Sequence, residues 1–395
     1  MWGQEWEAAL KNGAQPDAGS KSPPWEEALA TPHPASASRA EAEQWAAALG
    51  SSHLSGPHLV AAIECGSHST RLLITDGRHD LERITIDTCL GSADASDSTA
   101  PAPFGAETLA ALASFAPLLR RTGGGGVERV RAVGTAALRA APPAAAGGFL
   151  AAAREALGHP VEVLSGQEEG ALAFAGATSS LDPGQPCLLI DLGGRSTELC
   201  YGLAGTQQPE WVASMPLGCL SVQRAAGDPS GWTSAAEAAL RLHGGAAAAR
   251  LRAAAAPGPA GGPGTGAGRL LLVATGGTVT SAEALALRLP RYEHARVHMA
   301  RLGVAQLLAI AEELADKEAQ ARAMGALPWL TPERAASLGP GCAALAAAAL
   351  WVERQWDGPE GGGGEGGGSG DAGGVLVVSD RDLLDGLALQ LLEGG

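Results

Sequence analysis

Two ten-residue stretches of this chain carry the same pattern of reactive side chains. Residues 63–72 read Ile-Glu-Cys-Gly-Ser-His-Ser-Thr-Arg-Leu, and residues 190–199 read Ile-Asp-Leu-Gly-Gly-Arg-Ser-Thr-Glu-Leu. They share Ile, an acid, Gly, a small residue, Ser-Thr and Leu, and each lies between two strand-like runs. A strand ending in an acid delivers a carboxylate, Glu64 or Asp191, to a cleft, where it can hold Mg2+ directly or through water. The residues behind it, Gly66, Ser67, Gly193 and Gly194, let backbone N–H groups come close to an anion and form a nest for phosphate oxygens. The hydroxyls of Ser69 and Ser196 add donors. One such loop alone is an ordinary Gly-containing hairpin more often than a ligand site. Two in register over ten positions point instead to a phosphate chain clamped between two related halves.

The elements that must position these loops follow from periodicity. Leu59–Glu64, Arg71–Thr75 and Ile84–Asp87, with the turn dipeptide Asp76-Gly77, predict a β-meander. A second meander begins at Cys187–Asp191 and continues at Thr197–Tyr201. Between them the pattern predicts helices over 106–121, up to Ala140 and about 146–157, with strands over 127–133 and 161–164. After the second meander it predicts helices near 233–254, 281–289, 304–323, 332–355 and 380–392, with strands at 270–274 and 375–379. Strands alternating with helices mean an α/β fold with mostly parallel sheets. The Gly-rich runs 123–126, 257–268 and 357–374 each lie between a helix and the next strand. Ligands in open α/β sheets bind at the other edge, so these runs read as flexible loops.

Composition narrows the classes. With 46% hydrophobic residues in 395, global disorder is excluded, and with only 4% aromatics the core must be mostly Ala, Leu and Val. The net charge of −15 argues against a nucleic-acid coat and against an anionic membrane surface. The six cysteines form no CxxC pair, which reads as buried thiols in a reducing compartment. The run Cys342–Val352 is too short and Ala-rich to span a bilayer. The start lacks a basic region before an apolar one, and residues 1–57 hold seven acids against three bases, unlike a transit peptide. The expectation is a soluble, cytoplasmic protein, with an organellar stroma as the alternative. Residues 1–57 also repeat Trp6-Glu-Ala-Ala-Leu10, Trp25-Glu-Glu-Ala-Leu29 and Trp45-Ala-Ala-Ala-Leu49. Trp and Leu four apart share a helical face, so the repeats read either as partner-docking helices or as turns in a tail or on a surface.

The duplicated loops resemble the two phosphate loops of the actin-like, sugar-kinase and heat-shock ATPase superfamily. Further segments, in order, resemble the exopolyphosphatase/guanosine pentaphosphate phosphatase (Ppx/GppA) family. They are Arg131-Ala-Val-Gly-Thr135-Ala-Ala-Leu-Arg139, Val161-Glu-Val-Leu-Ser165-Gly-Gln-Glu168-Glu169, Ser214-Met-Pro-Leu-Gly218-Cys219, Ala274-Thr-Gly276-Gly277-Thr278, Pro332-Glu333-Arg334 and Val377-Val-Ser-Asp380-Arg-Asp-Leu-Leu-Asp-Gly386. The resemblance covers roughly residues 58–392. It implies two ribonuclease H-like, actin-like domains around a cleft, here 58–175 and 176–392, behind a low-complexity extension of residues 1–57. The C-terminal metal-dependent helical domain of longer members is not expected here.

The resemblance also implies roles. Glu169 maps to the carboxylate that activates water, with Glu168 as its support or a surface charge. Arg139 maps to a residue that neutralises phosphate oxygens. Glu64, Asp191 and Glu198 map to acids that hold Mg2+, with monovalent cations as possible stimulants. Gly66, Ser67, His68, Ser69, Thr135, Gly193, Gly194, Arg195, Ser196, Gly276, Gly277 and Thr278 map to the phosphate cradle. A homodimer is expected by analogy. The function implied is release of terminal phosphate from polyphosphate or guanosine pentaphosphate. The alternative is a degenerate polyphosphate- or alarmone-binding regulator, and a small-molecule kinase is a third reading.

Three departures motivate the alternative. Glu64 stands where the family has Asp, a lengthening of about 1.5 Å. His68 replaces Asn and titrates near neutrality. Arg195 replaces a third Gly, so its side chain either blocks close backbone approach or adds charge for a polyanion.

Overall fold

The computed structural model describes residues 59–90, 104–121, 126–256, 270–357 and 374–394. The Trp-Leu repeats and all of the 257–268 run lie outside them, as does most of the 123–126 and 357–374 runs.

Two sheets repeat one topology. The first contains β1 (Val60–Cys65), β2 (Ser69–Thr75), β3 (Asp80–Asp87), β4 (Arg129–Gly134) and β5 (Val161–Val163), in the order β3-β2-β1-β4-β5. β1 to β3 form an antiparallel meander, while β4 and β5 run parallel to β1. The second contains β6 (Pro186–Leu192), β7 (Thr197–Leu203), β8 (Trp211–Met215), β9 (Leu271–Thr275), β10 (Arg301–Gly303) and β11 (Val375–Val378). Its order, β8-β7-β6-β9-β11, is the same, again a meander followed by two parallel strands, and β10 adds an antiparallel edge. The sequence duplication is therefore a fold duplication, with each decapeptide at the hairpin that leaves the central strand. All six residues of β1 are buried, as a strand covered on both faces must be.

The helices of the first half are α1 (Ala106–Arg121), α2 (Ala136–Ala140), α3 (Pro143–Leu157) and α4 (Gly166–Thr178). In the second half come α5 (Cys219–Ala226), α6 (Trp232–His243), α7 (Gly245–Ala255), α8 (Gly277–Ala286) and α9 (His294–Val297). They are followed by α10 (Val304–Glu313), α11 (Lys317–Ala326), α12 (Pro332–Asp357) and α13 (Leu383–Glu393). One core lies between sheet one and α1 and α3, through Phe115, Phe149 and Leu157. A second fills the far side of sheet two around α12. A third joins the halves, packing Leu172 and Phe174 of α4 and Leu384 and Leu387 of α13 against Leu73, Leu189 and Val273. α4 and α13 cross at glycines. A Cβ at Gly176 would overlap the carbonyl of Asp382, and one at Gly386 that of Leu172.

Several expectations are refined. The helix expected over 233–254 breaks at Gly244, where a Cβ would meet the Trp351 ring at 2.6 Å. The one expected over 304–323 breaks where Asp316 caps α11, accepting the Ala319 N–H at 2.7 Å. β8, β10, α4 and α5 were not expected, because short edge strands, a Gly-rich helix (α4) and an eight-residue one (α5) give too little periodic pattern. The expected division at 175/176 falls inside α4, and α13 returns to pack on β1, β2 and β4. α12 is long and apolar enough to cross a membrane by length and composition, but 89% of its apolar window is buried in the protein.

Candidate phosphate-binding cleft

Both decapeptides close in the same way. In loop one the Gly66 N–H donates to the Ser69 carbonyl at 2.9 Å, and in loop two Gly193 donates to Ser196 at 3.0 Å. The loops face each other: a Cβ at Gly194 would lie 3.1 Å from the Ser67 Cβ and 3.3 Å from the His68 nitrogen. Among the described residues, the N–H groups of Ser67, His68, Gly194, Arg195 and Ser196 donate to no backbone carbonyl. Amides left without a carbonyl on two touching loops are what an anion nest requires. Loop two is held from behind by α5, whose Cys219 and Leu220 amides donate to the carbonyls of Gly193 and Gly194 at 3.1 and 2.8 Å. Gly218 is obligatory there, since a Cβ would lie 2.5 Å from the Arg195 nitrogen.

Loop three begins where β9 ends. Gly276 has φ +97 and ψ 164, a region nearly closed to other residues, and a Cβ there would lie 3.0 Å from the Leu192 carbonyl and 3.3 Å from Asp191 Oδ1. Gly277 starts the ten-residue α8, whose first-turn amides have no partners within the helix. The Arg334 guanidinium lies against Gly277, where a Cβ would be 2.6 Å from Nη1.

The acids gather beside these loops. Ser165 and Glu168 form a reciprocal capping box that starts α4, with Glu168 exposed. One position on, about 100° round the helix, Glu169 is buried at 7% exposure. It accepts a short hydrogen bond from Arg139 of α2, which also donates to the Leu164 carbonyl at 2.9 Å and lies 3.9 Å from Glu198. Burial pushes Glu169 up to about 7, beyond what Arg139 offsets. Asp191 is pushed up to about 8 by burial and by the nearby charges of Glu169, Asp382 and Glu64. Glu198, 1% exposed, is raised by burial and by Glu169 and Asp191, while Ser214 and Ser196 donate to it at 2.7 and 3.4 Å.

The repeat is electrostatically lopsided. Glu64 faces Arg71 across β1 and β2, whereas Asp191 faces Glu198 across β6 and β7. Arg71 takes Glu64 Oε2 through Nε at 2.7 Å and through Nη2, and gives Nη1 to Asp382. Glu64 is nonetheless raised, because burial outweighs Arg71.

The structure brings most of the expected site residues together and redirects several. Glu64, Asp191 and Glu198 do not form a ready-made cage: among the described residues no group of three His, Cys, Asp or Glu is arranged to hold a metal ion. Arg71 draws Glu64 aside, and two serines hold Glu198. Mg2+ needs only one or two carboxylates, keeping its waters and taking substrate oxygens, so the donor set fits a largely hydrated ion. The Asp191 carboxylate accepts no hydrogen bond among the described residues.

The His68 imidazole does not face the nest. Its Nδ1 lies 3.1 Å from Asp87 Oδ1 and its Nε2 2.8 Å from Ser337 Oγ, and burial and Arg334 lower its pKa. The Thr278 hydroxyl lies 2.7 Å from where a Gly341 Cβ would be, packed on α12. Thr135 stands at the N-cap position of α2, at the end of β4, with its N–H on the Cys65 carbonyl at 3.3 Å and no side-chain capping bond. The Arg195 guanidinium is half-buried and makes no hydrogen bond or ion pair among the described residues. Sequence reasoning missed Arg71 and Asp382. The hairpin register, which sets Arg71 opposite Glu64, was the available signal for the first.

The match to known proteins follows the same elements. The model of the Ppx/GppA phosphatase family matches residues 74–355. Exopolyphosphatase 2 of Mycobacterium tuberculosis is 32% identical over 352 residues, covering 84% of this chain and 98% of that protein. A guanosine-5'-triphosphate,3'-diphosphate pyrophosphatase of Vibrio cholerae is 39% identical over 94 residues, 24% of this chain and 18% of that protein. The crystal structure of an exopolyphosphatase-like protein superposes with a TM-score of 0.67 at 27% identity, covering 85% of this chain and 99% of that one. The Ppx/GppA family member of Aquifex aeolicus shares the fold, with a TM-score of 0.60 at 23% identity over 86% of this chain and 99% of that one. The chain belongs to the Ppx/GppA phosphatase family.

Proposed function

We propose that this protein hydrolyses the terminal phosphoanhydride bond of a linear phosphate chain, inorganic polyphosphate or the 5' end of guanosine pentaphosphate. One observation carries the reading: two touching loops with free amides lie beside Glu169, a buried carboxylate whose pKa is about 7. The amides of Ser67, Gly194, Arg195 and Ser196, with those of Gly277 and Thr278, bind the phosphate oxygens. Glu169 orients the attacking water and takes its proton, for which a pKa near the working pH is the favourable value. In this state Arg139 holds Glu169; an incoming phosphate offers Arg139 a second anionic partner, freeing the carboxylate to act as base while the guanidinium neutralises developing charge. Asp191 would hold a hydrated Mg2+, with Glu198 and Glu64 as the further acids of the site, and the cation would supply the charge that five neighbouring carboxylates lack and that phosphate requires.

The names of the relatives support both substrates, polyphosphate for the Mycobacterium tuberculosis protein and the guanosine nucleotide for that of Vibrio cholerae. The test is phosphate release from each, with Mg2+, by wild type and by Glu169→Gln. Release by wild type at least a hundredfold above the variant supports the reading. Equal trivial rates sink it, and tight binding without turnover establishes the regulator instead.

A further inference from the structure

Arg71 does more than neutralise Glu64. Its guanidinium is side-on to Glu64 Oε2, and its third nitrogen is spent on Asp382, which stands after β11 in sheet two. Asp382 caps α13, accepting the Leu384 N–H at 2.9 Å, and its own N–H donates to Asp385 at 2.9 Å. The residues just before it are bonded to the strand end that carries loop three. Thr275, which precedes Gly276, donates its hydroxyl to the carbonyls of Ser379 and Arg381 at 3.0 and 2.8 Å, and the Ser379 N–H donates to Ala274 at 2.8 Å. A continuous set of bonds thus runs from the acid that precedes loop one, through Arg71, to the strand end that carries loop three. Both ends are desolvated: the side chains of Arg71, Glu64 and Asp382 are 18%, 10% and 9% exposed.

We propose that Arg71 and Asp382 form a positioning bridge that sets the Glu64 carboxylate and brings loop one of the first sheet and loop three of the second onto the phosphate chain as one unit. Glu64 is a methylene longer than Asp at this position. With Oε2 pinned, its other oxygen is turned back against Gly66, where a Cβ would lie 3.0 Å away, rather than projecting across the nest. The bridge is how the first half of the repeat tolerates the longer acid. The position equivalent to Arg71 in the second half is Glu198, so among the described residues this bridge has no counterpart in the second hairpin, and Asp191 is left for the cation. This inference rests on the phosphate-chain reading for its substrate but not for its bonds.

A neighbouring pair gives an internal control. Arg83 of β3 grips Asp385 at 2.7 Å, linking the same sheet to the same helix without touching Glu64 or Asp382 through a hydrogen bond. The test compares full-length Arg71→Met, Arg71→Lys, Asp382→Asn and Arg83→Met by amide hydrogen exchange and by steady-state phosphate release. Loss of a charge-assisted buried bond should speed exchange at residues 66–69 and 276–278 together, by about tenfold or more, in Arg71→Met and in Asp382→Asn. The same two variants should lower kcat more than they raise KM, and Arg71→Lys should recover part of both effects. Arg83→Met should lower Tm while leaving both loops and kcat as in wild type. If Arg71→Met leaves the exchange of the two loops at wild-type rates, or if Arg83→Met loosens them equally, the bridge is only structural and the proposal falls. A wild-type protein that releases no phosphate but shows the coupled exchange would overturn the proposed function and leave the bridge standing.

Discussion

At the scale of single residues, the cleft is a balance between burial and a few guanidinium groups. Glu169 and Asp191 sit at about 7 and 8, so in the cation-free protein each holds a proton over part of the neutral range. A carboxylate raised in the folded state is protonated there at pH values where the unfolded chain has already lost its proton. Its contribution is fully present below the unfolded value near 4 and is lost as pH rises to the folded value. Glu169→Gln removes that cost. We therefore expect it to abolish phosphate release yet raise Tm at pH 8 relative to wild type, with little change at pH 5, by calorimetry. Arg195 gives a second prediction. An unpaired guanidinium on a phosphate loop should bind chain oxygens, so Arg195→Gly should raise KM for long polyphosphate about tenfold or more with kcat nearly unchanged, and Arg195→Lys should fall between. A gain of activity in Arg195→Gly would mean that the side chain obstructs the nest.

At the scale of elements, the hairpins and helix starts carry the geometry. Gly276 adopts backbone angles essentially reserved for glycine, with the Leu192 carbonyl and Asp191 Oδ1 where a Cβ would project. Gly276→Ala should cost about 1–3 kcal/mol in urea unfolding and displace Asp191, weakening Mg2+ dependence as well as stability. A second strap closes the other end of the cleft. Asp87 of β3 holds Arg334 at 3.1 Å, Thr331 at 2.9 Å and His68 at 3.1 Å, which keeps its carboxyl well below the ordinary range against the opposing effect of burial. Asp87→Asn leaves the half-buried Arg334 short of a charged acceptor. It should lower stability by about 1.5–3 kcal/mol in the same assay, the cost of a lost charge-assisted bond.

At the scale of the whole molecule, one fold unit is built twice and charged differently each time. Glu64, Glu169, Asp191, Glu198 and Asp382 influence one another; Arg71 and Arg139 face them, and Arg83 also acts on Asp382. Stability of the cation-free protein should therefore fall between pH 6 and pH 8.5 as the raised acids ionise, and millimolar Mg2+ should remove most of that fall. Thermal melts at the two pH values, with Mg2+ or with a chelator, check this. Identical melts in all four conditions would mean that the acids are compensated by groups within the protein.

The sequence by itself determined the duplicated meander, the acid–glycine–serine loops and the family. Each of these is local, a matter of alternation, turn chemistry or a few residues within hydrogen-bonding reach along the chain. Only the tertiary structure decided which acids are left uncompensated. Arg71 finds Asp382 and His68 finds Ser337 because segments far apart in sequence meet across the cleft, while His68 meets Asp87 within sheet one and the Thr278 hydroxyl packs on α12 within the second half. Ion pairing and desolvation depend on separations in space, and those are set only when α4 and α13 cross at Gly176 and Gly386 and bring the two halves together.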